Sequence, residues 1–182
     1  MKPKTNWVLD DNNPILREKA IPLTLPVNKQ DQKLINRMVK YVDASYENQA
    51  TALNIRSGIA LAGPQVGLNK QVIYVHFSEN GIEHKYLIAN PKVVATSADF
   101  AYLSRGEGCL SVSQDIKGIV KRRNKIIVNA YDLLTKQNIG IDAIGLLAIC
   151  LQHEIDHLSG VLYYDRIDRL NPEHTLQEWI KY

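Results

Sequence analysis

The stretch Gln152-His153-Glu154-Ile155-Asp156-His157 places two imidazoles and a carboxylate at the spacing of a catalytic metal site. On a helix, His153 and His157 lie one turn apart on one face, so both rings can reach a single ion between them. Glu154 projects about 100° away around the axis. From there it is placed to take a proton from water beside the metal rather than to join the ligands. A catalytic site of this kind uses three protein ligands, so the helix alone is incomplete.

Several donors compete for the third place. The pattern HExxHxxGxxH is matched at Gly160 but carries Tyr163 where its last histidine belongs, and that completion fails. Glu178, about twenty residues downstream, stays open as the donor of a zinc-peptidase site. Cys150 shares the helix face of His153, but three donors along one stripe are nearly collinear, and a tetrahedral site wants its third ligand from another element. Cys109 meets that requirement. It follows two glycines in Arg105-Gly106-Glu107-Gly108-Cys109-Leu110-Ser111, remote in sequence and free to approach the helix from outside. As a ligand its thiol would be deprotonated. Leu146, Ile149 and Cys150 precede His153 by seven, four and three residues. They form an apolar wall beside the ion, or simply core.

The elements that must position these groups follow from pattern and punctuation. Asp11 to Pro14 and Ile21 to Pro26 are turn-rich and proline-punctuated, so the opening wraps the surface in extended form. From Asp31, a candidate cap, apolar residues recur near a period of 3.6 through Leu34, Ile35, Met38, Val39, Val42 and Tyr46, as in an amphipathic helix. Ser57 to Gly67 is a run of small and apolar residues containing one amide, Gln65, and it allows close backbone approach. Gln71 to Phe77 and Lys85 to Ile88 read as strands joined by the turn Glu79-Asn80-Gly81. Ile119 to Leu133 reads as one long strand with a wet face. Asp142 is taken as the cap of the principal helix and Gly160 as its stop. Asn171-Pro172-Glu173 reads as the start of a short closing helix containing Leu176 and Trp179.

At 182 residues the chain suits one domain, 1–182, able to bury a core and leave a cleft. The excess charge is +3, from 22 basic against 19 acidic residues. The densest run, Lys121-Arg122-Arg123 with Lys125, is too short for nucleic-acid recognition and reads as a solvated strand face. No specific nucleic acid is expected as a partner. The N-terminus lacks the apolar core of a signal peptide, and no apolar run approaches the ~20 residues of a membrane helix. A cytoplasmic location, with no membrane partner, is therefore expected. Cys109 and Cys150 should stay reduced there.

Three segments together, Gly58 to Gln65, Glu107 to Ser111 and Gln152 to Leu158, resemble the signature motifs of peptide deformylases in order and spacing. The resemblance implies an α+β fold, with antiparallel sheets packed around a central HExxH metal-binding helix. It also implies removal of the formyl group from the N-terminal formylmethionine of newly synthesised polypeptides. Carried over by position, Cys109, His153 and His157 would hold one divalent ion. Fe2+ is the expected physiological metal, and Zn2+, Ni2+ or Co2+ could occupy the site in preparations. Glu154 would be the general acid and base, and Gln65 with the Leu110 N–H would bind the oxyanion. Backbone groups of Ile59, Ala60 and Gly108 would hold the N-formylmethionyl peptide like an added strand. The methionine side chain would enter a pocket of Ile59, Leu146, Ile149, Cys150 and the His153 ring. Arg122 would pair with Glu107 and steady the Cys109 loop. The ribosome is a candidate partner.

The first motif departs from the family's usual GxGxAAxQ: Ala60 replaces the second glycine and Gly63 the second alanine. This puts substrate fit beside the Ala60 methyl in question. The longer passage from Tyr41 to Arg56 and the early end after Trp179 look like the Gram-positive-type members. Two other readings compete: a zinc peptidase using Glu178, and a non-catalytic metal-stabilised binding protein in which Glu154 would be dispensable.

Overall fold

The computed structural model describes residues 2–182 and folds as α+β. Asn28 caps α1 (Lys29–Tyr46), its side-chain oxygen accepting from the N–H groups of Gln30 and Asp31. The expected cap, Asp31, lies in the first turn instead. Asn28 is an equally good cap chemically, but the apolar period that marks the helix begins only later, at Leu34. After α1 come β1 (Ala60–Ala62), a 3-10 turn (Gly63–Val66), β2 (Val72–Glu79) and β3 (Ile82–Thr96). The expected hairpin is present. Asn80 and Gly81 turn it with φ of 50° and 79°, the positive pair that matches strand twist.

Then follow β4 (Phe100–Tyr102), β5 (Arg122–Arg123), β6 (Lys125–Asp132), β7 (Gln137–Ile144), α2 (Leu146–Leu158) and β8 (Ile180–Lys181). One sheet runs β1-β2-β3-β6-β7, antiparallel throughout, and a small sheet runs β5-β4-β8, in which β4 and β8 are parallel. Residues 119–133 do not form a single strand. At Asn124 the chain passes from the small sheet to the large one, its N–H donating to the Asp99 carbonyl and its carbonyl accepting from Gly145 N–H.

Strand β2 is buried on both faces. Ile73, Val75 and Phe77 pack with Ala148, Leu151 and Leu158 of α2, whereas Val72 and Tyr74 pack with Ile35, Met38 and Val42 of α1. This explains its continuous apolar run where a half-exposed strand would alternate. Helix α2 also meets the small sheet, its Gln152 amide accepting from Arg123 N–H at 2.9 Å and donating to Arg123 carbonyl at 2.8 Å.

Two boundaries differ from expectation. Asp142 lies in β7, exposed and paired with Lys125 Nζ at 3.0 Å, and Gly145 takes the N-cap position of α2. The segment from Asn171 forms turns and then β8 rather than a closing helix. Trp179 lies 6.3 and 6.4 Å from the rings of Phe100 and Tyr102, a non-local packing that outweighs the local helix signal. No helix among the described residues is long and apolar enough to cross a membrane.

Candidate active site

Helix α2 presents His153 and His157 on one face, and the turn after β4 brings Cys109 against them. The three donor atoms lie within 4.8 Å of one another, all from buried residues. Cys109 Sγ is 3.3 Å from His157 Nε2. A thiolate with two imidazoles is a donor set that suits zinc or iron and leaves a position open. Cys150, although buried beside the site, is outside this cluster, and Glu178 is exposed at the far end of the chain.

A buried ion network fixes the donors. Glu107 Oε2 accepts from His153 Nδ1 at 2.8 Å, and the same carboxylate takes two hydrogen bonds from Arg122, from Nε at 2.7 Å and Nη2 at 2.9 Å. Arg122 also donates to Asp156, which a second arginine, Arg166, holds from the other side. Arg122 is therefore 3% exposed, not part of a solvated face. No motif or spacing marks Arg166. Asp156 was visible only as a residue within the helix motif, three positions past His153 on the same side. The His153 ring also stacks near Tyr163, with centroids 6.0 Å apart.

The electrostatics follow. Burial pushes the Glu107 carboxyl up, but hydrogen bonds from Arg122 and His153 override it and hold the group at about 2. Burial disfavours the His153 cation, yet its bonds to Cys109 and Glu107 raise it well above the ordinary histidine value. Burial, with the charge of His153 nearby, drives His157 well below that value, leaving a neutral ring. Burial raises Glu154 to about 7, a carboxyl poised to gain and lose a proton near neutrality. Its Oε2 has no hydrogen-bond partner among the described residues.

A cleft of about 350 Å³ opens over these groups. One wall is formed by Leu146, Ile149 and Cys150, one and two turns upstream of His153; Ile59, Ala60, Gly108 and Leu110 lie on the lining as well. β1 is an edge strand. Ile59 carbonyl accepts from His76 N–H across the pair at 2.9 Å, so by strand alternation the backbone of Ala60 faces the open edge. Gln65 closes the cleft from the 3-10 turn. Its Oε1 accepts from Ala62 N–H at 2.8 Å, which turns Nε2 toward Ser111 Oγ at 3.1 Å and Cys109 Sγ at 3.6 Å. Nothing in its motif marks Ser111, whose place beside Gln65 follows only from the fold. The Leu110 N–H has no partner among the described residues.

The family model described as polypeptide deformylase matches residues 5–173. A peptide deformylase of Ureaplasma parvum serovar 3 is 44% identical over 182 residues, covering 100% of this chain and 92% of its own. One from Malacoplasma penetrans is 41% identical over 179 residues, 98% of this chain and 96% of its own. Among solved structures, a peptide deformylase from Synechococcus elongatus in complex with actinonin superposes with a TM-score of 0.71 at 31% identity, over 90% of this chain and 79% of that one. A family match across most of the sequence, on a chain whose thiol and two imidazoles converge in one buried cleft, makes this protein a member of the peptide deformylase family.

Proposed function

We propose that this protein hydrolyses the formamide of N-formylmethionyl peptides, releasing formate and a free N-terminal amine, with residues 1–182 acting as one catalytic domain. The observation that carries the reading is the convergence of Cys109, His153 and His157 beside a buried, unpartnered Glu154 oxygen. Those three residues would hold one divalent ion, Fe2+ by family resemblance, with Zn2+, Ni2+ or Co2+ suited to the same donors. A metal bound there supplies Lewis acidity, polarising the formyl carbonyl and lowering the pKa of water toward ~7.

The remaining steps belong to the chain. Glu154 takes a proton from the attacking water as its oxygen bonds to the formyl carbon, and Gln65 Nε2 with the Leu110 N–H donates to the oxyanion that develops. One such donor contributes about 3 to 4 kcal/mol to the transition state. Glu154 then delivers its proton to the amine nitrogen as the C–N bond breaks. The Ala60 backbone at the free edge of β1, with Gly108 beside it, pairs with the extended peptide, a mode that reads no side chain. The Ile59 carbonyl, expected to share in this, is instead bonded to His76 N–H, so Ile59 offers the cleft its side chain. The methionine side chain fills the space against Leu146, Ile149 and Cys150.

The peptidase alternative requires Glu178 at the metal, and that residue is exposed and outside the donor cluster. Turnover of a short formyl-Met peptide by anaerobically prepared Fe(II) protein, with Zn(II) and Ni(II) forms alongside, tests the proposal. Release of formate is expected, and inactivity with all three metals would overturn it.

A further inference from the structure

Folding gathers charges on α1 that are scattered in the sequence. Lys29, Lys33, Arg37 and Lys40 follow one another at intervals of four, four and three residues. They therefore share one side of the helix over about 16 Å, the axial span of roughly five phosphates of a nucleic-acid strand. None of the four forms an ion pair with a carboxylate among the described residues, whereas the exposed Arg17, Arg56 and Arg166 each do. Beside them runs a groove of about 420 Å³, walled by Val27, with Trp7 at its base and no acidic lining residue. Arg37 sits over the Trp7 indole, 5.7 Å from its centroid, which holds that guanidinium at the groove instead of letting it sweep through solvent.

We infer that this face of α1 binds the phosphate backbone of RNA without sequence preference. A linear scan for basic runs misses it because no two of the four cations are adjacent. The neutral side chains between them narrow the choice of partner. Gln32 Nε2 donates to Asn36 Oδ1 at 2.9 Å, leaving Gln32 Oε1 as an acceptor and Asn36 Nδ2 as a donor with no partner among the described residues. Such a pair suits a 2′-hydroxyl, which both donates and accepts and which DNA lacks. An anionic membrane fits poorly. The apolar face of α1, through Ile35, Met38 and Val42, is spent in the core, so nothing remains to enter a bilayer. This inference is independent of the proposed catalysis, because these residues lie outside the active cleft.

The test is fluorescence anisotropy of the metal-loaded full chain with a labelled 20-base-pair RNA duplex. A DNA duplex of the same sequence, anionic phosphatidylserine vesicles and a polyglutamate competitor are run alongside. Neutralising about four phosphates predicts affinity falling roughly 50- to 150-fold between 50 and 200 mM salt. Lys33→Glu with Lys40→Glu should weaken binding at least tenfold and flatten the salt dependence, while formyl-Met turnover is unchanged. Lys19→Glu with Lys85→Glu makes the same change in net charge elsewhere and should leave binding near wild type. The inference is overturned by no binding at 50 mM salt, by equal losses from the two double variants, or by DNA, vesicles or polyglutamate binding more tightly than RNA.

Discussion

Glu107 orients His153: a carboxylate can only accept, so its 2.8 Å contact with Nδ1 fixes a ring proton there and turns Nε2 toward the site. The same carboxylate is itself held by two bonds from Arg122. The orientation of one donor therefore depends on an arginine one shell behind it, and that arginine on Asp156 one turn along α2.

Arg122→Ala should accordingly do two things. It leaves Glu107 without its cation in a buried position, a loss of about 3–5 kcal/mol by the usual cost of breaking a buried pair. By loosening His153 it should also lower metal affinity about 10- to 100-fold. Arg122→Lys keeps the charge but not the two-pronged geometry, and should recover stability better than metal affinity. Thermal melts and metal content after dialysis against a chelator series separate the two effects.

Of the two cysteines beside the cleft, only Cys109 is within the three-donor cluster. Cys109→Ala should abolish stoichiometric metal and with it activity. Cys150→Ala should keep the metal and alter only the fit of the methionine side chain. Metal analysis of both variants checks this, and a metal-replete, active Cys109→Ala protein would refute the ligand assignment.

Glu154→Ala should retain its metal and lose activity by about 10²- to 10⁴-fold, the usual contribution of a positioned acid and base. Its carboxylate is buried with one oxygen unpartnered, which costs stability unless that oxygen has another use. The variant should thus be no less stable than wild type, a combination that a structural carboxylate would not give. Unchanged turnover would overturn the acid and base role of Glu154.

Gln65→Ala should lower kcat about 10²- to 10³-fold with little change in KM, because its Nε2 would act on charge that develops only in the transition state. Single-turnover kinetics at saturating peptide read this directly. The loss should be the same for formyl-Met peptides of different downstream sequence.

The candidate donors are legible because their signal is local: i and i+4 on a helix need no tertiary information, and Cys109 stands out beside two glycines. The boundaries that failed were those where distant partners decide. Asn171-Pro172-Glu173 is a good start signal for a helix containing Leu176 and Trp179, but pairing of Ile180 and Lys181 with β4, and the packing of Trp179 near the rings of Phe100 and Tyr102, hold the segment out of a helix. Asp142 has the right chemistry for a cap but sits opposite Ile127 in the β6–β7 ladder. The Asp156–Arg166 bond likewise joins residues whose pairing no periodicity marks.

Gly160 ends α2 three residues after His157, and its φ of 72° combines with an unusually close neighbour. A Cβ there would lie 2.5 Å from the Arg17 carbonyl oxygen, a backbone atom that cannot swing away. Gly81 has a similar φ of 79° but nothing within 4 Å of its would-be Cβ. Gly81→Ala therefore measures the conformational strain alone, about 1–2 kcal/mol. Gly160→Ala adds the clash and should cost clearly more. It should also disturb the site, since the backbone it displaces is bonded to α2 through Ala20 N–H to Leu158 carbonyl at 2.9 Å and Gly160 N–H to His157 carbonyl at 3.2 Å. Denaturant melts of the two variants, with metal content measured on each, should show the larger destabilisation and weaker metal retention in Gly160→Ala. Equal effects would mean that the N-terminal segment yields and does not brace the end of the ligand helix.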